Sequence, residues 1–327
     1  PATGPVYDFI VIDEVQDLTP VQLALVLALL KAPGQFILCG DSHQIVHPNF
    51  FSWAALKSLF WQGLAGEAAQ RQPLQLLQAN YRNTQAVTAL ANRLLKIKQA
   101  RFGSVDRESN FLVRSTAAEP GQVQLVAAKD AAIKALDAAT RQSAQHAVIV
   151  LRDDDKPAAR ERFHTPLVFS VAEAKGLEYP HVLLVDLVSS QRQAYAEVAE
   201  GVDPADLEGE DLTYSRAQDK ADKSLELYKF YVNALYVAMT RAVQSLTLVE
   251  ADPDHPLLAM LGLKAGEATV QPARTSTREE WAQEARKLQL QGKEEQAQAI
   301  RDAFLQHKPV PWTPWSRALV DELLPKA

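Results

Sequence analysis

A chain of 327 residues with 47% hydrophobic and 23% charged side chains is an ordinary globular composition, long enough for about two domains with sizeable cores. No apolar run reaches the roughly 18 residues of a membrane span, and the opening PATGPVYDF has neither the basic nor the apolar region of a secretory signal. The net charge of −6 argues against coating nucleic acid by bulk charge, though not against a local basic groove, and the single cysteine, Cys39, excludes a disulfide framework or a cysteine-rich zinc site.

In chain order, 6–12 (VYDFIVI) reads as a short strand ending in acids, and 35–39 as a second strand ending in Gly40-Asp41. Between them 20–30 is apolar enough for a buried helix, with Thr19 as N-cap and Pro20 at the first helical position. Strand, helix, strand at this spacing predicts a parallel α/β sheet, whose ligands bind at the carboxyl ends of the strands. Cys39 lies in the run FILCG and reads as a small buried hydrophobe, in keeping with a reducing, cytoplasmic compartment.

A second α/β unit follows. Strands are predicted at 122–127, 147–151, 167–171, 182–187 and 245–250, and helices at 84–98, 131–142 and 225–241. The stretch 191–226, with ten acidic and four basic residues, reads as an exposed acidic insertion. From Thr277 onward the pattern is a helical hairpin: Trp281, Ala285 and Leu288 share one face, Gln291-Gly292-Lys293 turns, and Ala297, Ile300 and Phe304 share the next. Residues 309–315 (PVPWTPW) are too rich in proline to be helical.

Five short segments carry chemistry. Asp13-Glu14-Val15-Gln16-Asp17 follows the first strand; an Asp there can hold Mg²⁺ while a neighbouring Glu polarises an attacking water, or the acids simply cap the next helix. Gly40-Asp41-Ser42-His43-Gln44 ends the second strand, where Gln44 can bond a γ-phosphate or the attacking water. Asn80-Tyr81-Arg82 offers an aromatic face and an arginine able to reach across from a second domain. Ala174-Lys175-Gly176-Leu177-Glu178-Tyr179 follows a strand, and Tyr236-Val237-Ala238-Met239-Thr240-Arg241-Ala242 ends a helix with a second such arginine.

In this order the five segments resemble motifs II to VI of superfamily 1 helicases of the UvrD/Rep type: DExQD, GDxxQ, NYR, KGLE and YVAxTRA, over about 6–250. The resemblance implies two RecA-like (P-loop NTPase) α/β sheets, ATP and Mg²⁺ as cofactors, and single-stranded nucleic acid, most simply DNA, as partner. It implies Asp13 for Mg²⁺, Glu14 as catalytic base, and Gln44, Arg82 and Arg241 as sensors of the γ-phosphate. Tyr81 would stack on adenine, Glu178 would meet the ribose, and Gly176 would let the backbone approach the nucleotide. Nucleic-acid contacts fall to Ser170 and Lys175 and, from the segment His47-Pro48-Asn49-Phe50-Phe51-Ser52-Trp53, to Phe51 and Trp53, which either stack on bases or simply pack the domain.

The resemblance breaks in three places. No GxxxxGK[ST] loop occurs, so nothing here cradles the β- and γ-phosphates. The expectation is a chain that starts partway through the first RecA-like domain and does not hydrolyse ATP efficiently by itself. The histidine that the family carries three residues before the KGLE lysine is Ala172, a form that looks more like the UvrD-related branch with TPR-type repeats. Only 92 residues separate Arg82 from Lys175, too few for a large accessory 2B domain. The expected organisation is therefore a partial RecA-like domain over 1–77, a complete one over 78–265 carrying the acidic insertion, and a TPR-like helical tail over 266–327. The implied function is the C-terminal part of an ATP-dependent 3′→5′ DNA helicase or translocase. The alternatives are an RNA translocase, or a non-enzymatic scaffold that meets a protein partner through the tail or the acidic insertion.

Overall fold

The computed structural model describes residues 4–46, 51–54, 56–57, 74–104, 110–209, 211–212, 224–269 and 274–306. The chain divides into two compact units, 1–275 and 276–327. The expected α/β class is borne out: the larger unit is built on parallel sheets.

Strand β1 (Ile10–Ile12) pairs in parallel with β2 (Phe36–Leu38), Val11 opposite Ile37, and helix α1 (Pro20–Leu27) makes the crossover. Thr19 caps α1 as its composition dictates: its hydroxyl accepts the Gln22 N–H while the Gln22 side chain accepts the Thr19 N–H. Both β1 and α1 are shorter than their apolar runs. The N–H groups of Val6 and Tyr7 donate to the Leu29 carbonyl, and Lys31 N–H donates to Tyr7, so this backbone is spent on the turn that ends the helix. Ile12, Val15, Leu23, Phe51 and Leu56 form the core of this small layer, with Trp53 packed against it. The opposite face stays open, with Val11 62% and Ile37 51% exposed. Cys39 lies beyond them on the same alternation and is also exposed, which corrects its reading as a buried hydrophobe.

The six-stranded parallel sheet has the order β10-β5-β9-β8-β6-β7, with β5 at Gln122–Ala127, β6 at His146–Val150, β7 at Val168–Ser170, β8 at Tyr179–Val185, β9 at Ala242–Glu250 and β10 at Ala265–Gly266. A short pair, β3 (Ala79–Asn80) and β4 (Arg114–Ser115), precedes it. The near-continuous burial of Ala147–Val150 and Val182–Val185 is what strands covered on both faces require. Helices α2 (Gln85–Phe102) and α3 (Asp130–Thr140) fall where expected, with α2 running four residues past its predicted end, whereas the short helices α4 (Lys156–Arg162) and α5 (Val171–Ala174) were not predicted.

The acidic stretch departs from expectation. Helix α6 (Arg192–Ala199) buries Tyr195, Val198 and Ala199, and beyond it Val202 and Leu207 are buried as well. The Tyr195 hydroxyl donates to the Tyr231 carbonyl on helix α7 (Ser224–Met239), and Lys96 of α2 donates to the carbonyls of Leu207 and Gly209. Charge counting hid an apolar set at i, i+3 and i+7; residues 213–223 lie outside the description.

A buried carboxylate closes this region. Glu250, at the end of β9, accepts from the Val188 N–H and from the Ser189 N–H and hydroxyl. Burial nevertheless pushes its pKa up to about 7 against those hydrogen bonds. Between the unfolded value near 4.5 and 7 the folded state holds the extra proton, so this group's contribution to stability is full at low pH and is lost as pH rises through 7. The contribution is on the order of 3 kcal/mol. His146, held down to about 4 chiefly by burial, acts in the opposite sense over an overlapping range. The comparison that isolates Glu250 is therefore with Glu250→Gln: in urea melts the parent should lose stability relative to the variant between pH 5 and 7.5, and a constant difference would refute it.

In the smaller unit, helix α8 (Pro256–Met260) having closed the larger one, α9 (Arg278–Leu290) starts at a Thr277–Glu280 capping box and α10 (Glu294–Ile300) returns after Gly292, with a π-type turn over Arg301–Leu305. Trp281, Ala285, Leu288, Ala297 and Ile300 are buried as the pattern predicted, and Phe304 stacks on Trp281 at 4.2 Å. Residues 309–315 fall outside the described residues. Among the described residues no helix is long and apolar enough to cross a membrane.

Candidate nucleotide cleft and its charged lining

The acid turn after β1 is locally strained. Glu14 adopts the left-handed region, φ 53°, which a non-glycine residue enters at a cost. Its N–H is taken by Asp13 Oδ1 at 2.9 Å, and the Val15 N–H donates to the Cys39 carbonyl at 2.9 Å. The fully buried Gln16 locks the turn: its amide nitrogen donates to Glu14 Oε2, and its Oε1 accepts the Asp41 N–H at 3.0 Å. One amide thereby joins the two acid-bearing strand ends. Gly40 is required there, since a Cβ would overlap Gln16 Oε1 and come within 2.8 Å of Val15 Cγ1.

Asp41 organises the second turn, accepting the His43 N–H at 2.8 Å and the Gln44 amide at 3.0 Å. Gln44 Oε1 is left facing the guanidinium of Arg241, 3.5 Å away. His43 is buried beneath it, with Lys98 Nζ 3.2 Å from its Nδ1. Lys98 also donates to Asn233 Oδ1 at 2.7 Å, and Asn233 donates to the Ile45 carbonyl at 2.9 Å. These contacts tie the Gln44 turn to α2 and α7.

The second unit presents its two arginines together. Asn80 Oδ1 accepts the N–H groups of Arg82 and Asn83, and Asn83 donates to the carbonyls of Thr240 and Ala242, at 2.9 and 2.7 Å, on either side of Arg241. Arg241 is 2% exposed and donates to the carbonyls of Val237 and Leu177. Burial first, and then the Arg82 cation, lower its pKa to about 10. Arg82 pairs with Glu178 at 2.9 Å, while Tyr81 stands 83% exposed beside it. Gly176, at φ 80°, needs its lack of a side chain for the turn before Glu178.

The residues assigned to nucleic acid all make contacts within the protein. Lys175 Nζ lies 2.6 Å from Asp17 and 3.5 Å from Glu14, inside the acid cleft. Ser170 is buried and its hydroxyl caps α5 by accepting the Glu173 N–H. Phe51 is buried in the core of the β1–β2 layer and meets the half-buried Trp53 edge-on at 5.2 Å. His47 to Phe50 lie outside the described residues. The structure thus gathers Glu14, Gln44, Arg82, Lys175, Glu178 and Arg241 at one cleft, with Asp13 and Tyr81 exposed next to its members. Gln16, His43, Lys98, Asn83 and Asn233 carry the geometry and were not singled out; only Lys98, a lone cation on the apolar face of α2, left a readable sign. Asp13 and Glu14 at a strand end suit a nucleotide-bound divalent ion, although among the described residues no three ligating side chains converge.

Residues 1–201 match the family described as the viral superfamily 1 RNA helicase core domain. The chain is 26% identical over 267 residues to the human TPR and ankyrin repeat-containing protein 1, covering 73% of this chain and 9% of that one, so it spans about a tenth of that relative. Among solved structures it is similar to the arterivirus nonstructural protein 10 helicase (16% identity, 79% of this chain and 42% of that one, TM-score 0.39). The C-terminal domain of a possible DNA helicase from Lactobacillus plantarum WCFS1 also matches (18% identity, 56% and 94%, TM-score 0.31). With the family match spanning more than half its length, the chain belongs to the viral superfamily 1 RNA helicase core domain family.

Proposed function

We propose that this chain is the C-terminal part of an ATP-driven superfamily 1 motor, of the UvrD-like branch with TPR-type repeats, which moves 3′→5′ along single-stranded DNA. The observation that carries the reading is the cleft itself: Arg241 and Lys175, from the second sheet, meet Gln44 and the Glu14–Asp17 acids, from the first, within 2.6–3.5 Å. Opposite charges from two α/β layers at one crevice are what an arginine-finger ATPase needs. Bound Mg²⁺·ATP would bring the phosphate charge that these arginines neutralise, with Asp13 holding the ion. Glu14 would take the proton of the attacking water, Gln44 would orient it, Tyr81 would stack on the base, and Glu178 and Gly176 would lie along the ribose and phosphates.

The open face of β1–β2 supports a missing layer. Parallel strands are normally covered on both faces, and exposed Val11, Ile37 and Cys39 suit a further strand–helix segment that brings the phosphate loop. In this reading 1–77 and 78–265 are the two motor halves and 266–327 a TPR-like tail.

The RNA alternative is favoured by the description of the matched family. The test is ATP turnover by a polypeptide that also supplies a phosphate loop, with and without single-stranded DNA or RNA of matched sequence. Stimulation of tenfold or more by DNA supports the reading and stronger stimulation by RNA moves the substrate. No stimulation by either strand would sink the motor reading in favour of the scaffold.

A further inference from the structure

Helix α2, which leads out of the Asn80–Arg82 loop, buries a cation. Lys98 lies among Leu94, Leu95, Ile97 and Phe102 and is 4% exposed. Burying an ammonium group costs free energy that an apolar side chain of similar length would not, so its contacts bear on why a lysine stands there. Lys98 Nζ lies 3.2 Å from His43 Nδ1 and donates to Asn233 Oδ1 at 2.7 Å. An ammonium can only donate, so His43 accepts through Nδ1 and carries its ring proton at Nε2. The Ser42–Gln44 turn of the first sheet, α2 and α7 therefore meet at one buried polar joint.

The turn held there carries Gln44. A three-residue 3₁₀ turn has little stability of its own. On the side of the first sheet Asp41 fixes it, accepting the His43 N–H and the Gln44 amide. On the side of the second sheet α7 meets it repeatedly. Asn233 donates to the Ile45 carbonyl at 2.9 Å, and the Tyr236 ring lies 5.8 Å from that of His43. Just past the end of α7, the Arg241 guanidinium faces Gln44 Oε1 at 3.5 Å. Lys98 joins the two sides, since it bonds both His43 and the asparagine that holds Ile45.

We propose that Lys98 is a positioning residue for Gln44: by fastening His43 to α2 and α7 it sets the Gln44 side chain at Arg241, where the γ-phosphate would be read. This role rests on the motor reading. Lys98 acts through His43 and the turn, so its loss should slow the chemical step without weakening ATP binding.

The test is strand-stimulated ATP turnover by a polypeptide that also supplies a phosphate loop. Lys98→Met keeps the length and removes the donor; His43→Phe keeps a ring against Tyr236 and removes the acceptor. Each should lower kcat by about tenfold or more with KM for ATP within about threefold of the parent, the pattern of an interaction made in the transition state rather than in binding. In a Gln44→Ala background Lys98→Met should cost less than about twofold further, because the lysine acts through Gln44, whereas a residue that only supports the fold would cost the same in both backgrounds. An effect that multiplies with that of Gln44→Ala overturns the role and leaves the motor reading standing. So does a folded single variant whose kcat stays within about twofold of a stimulated parent. If neither variant folds, the joint is a determinant of folding and the role is overturned likewise. A parent whose turnover no strand stimulates sinks the motor reading, and the role falls with it.

Discussion

Glu14→Gln should abolish ATP turnover, by about 10²–10⁴-fold, with little change in stability or nucleotide affinity. The substitution keeps the shape of the side chain, and an amide oxygen can still accept from the Gln16 amide that locks the turn. What it removes is the ability to accept a proton. Glu14 is suited to that task by its position: the left-handed backbone at φ 53° turns it out of the strand, leaving its side chain 46% exposed. Lys175, 3.5 Å away and shared with Asp17, pairs with it, and in the motor reading nucleotide phosphates would compete for the lysine and free Glu14. The check is steady-state turnover beside a binding titration, in a polypeptide that supplies a phosphate loop. Turnover within threefold of the parent would remove Glu14 from the role of base, and lost binding would mean that it holds the ion instead.

The strands and helices were legible because their signals are local. Thr19-Pro20 and Thr277 with Glu280 start helices by capping chemistry, and the short apolar runs at 147–151 and 182–187 read as strands covered on both faces. The acid and arginine residues of the cleft were legible too, as motif letters. Their supports were not. Gln16 reaches Asp41 across 25 residues and Asn83 reaches Ala242 across 159, and no periodicity carries a contact between two loops. The same blindness misplaced the acidic stretch, where ten carboxylates outweighed Tyr195, Val198, Val202 and Leu207 in any composition count although only the apolar set decides packing. It also left open whether Phe51 packs a core or meets a base, and gave no sign that Ser170 caps a helix, since an aromatic or a hydroxyl looks alike in either use.

The two arginines of the cleft should separate stability from chemistry. Arg241→Lys keeps the charge but cannot reproduce the planar fork, which now bonds the Val237 and Leu177 carbonyls, Thr240 Oγ1 and, at 3.5 Å, Gln44. Two buried carbonyls lose a donor, a cost of roughly 1–3 kcal/mol. Arg82→Lys touches an exposed pair with Glu178, where a stability change of about 1 kcal/mol or less is expected. If both guanidiniums act on the transferring phosphate, each variant should lower ATP turnover by about 10³-fold or more, whatever its effect on folding. Urea melts beside turnover would show it: a destabilised Arg241→Lys and a stable Arg82→Lys, both inactive. A stable but fully active Arg82→Lys would leave Arg82 a partner of Glu178 alone. Arg241→Lys with turnover within tenfold of the parent would make Arg241 the hydrogen-bonded post that fastens α7 to the Lys175–Glu178 turn, and the cleft would then need another group to answer the phosphate charge.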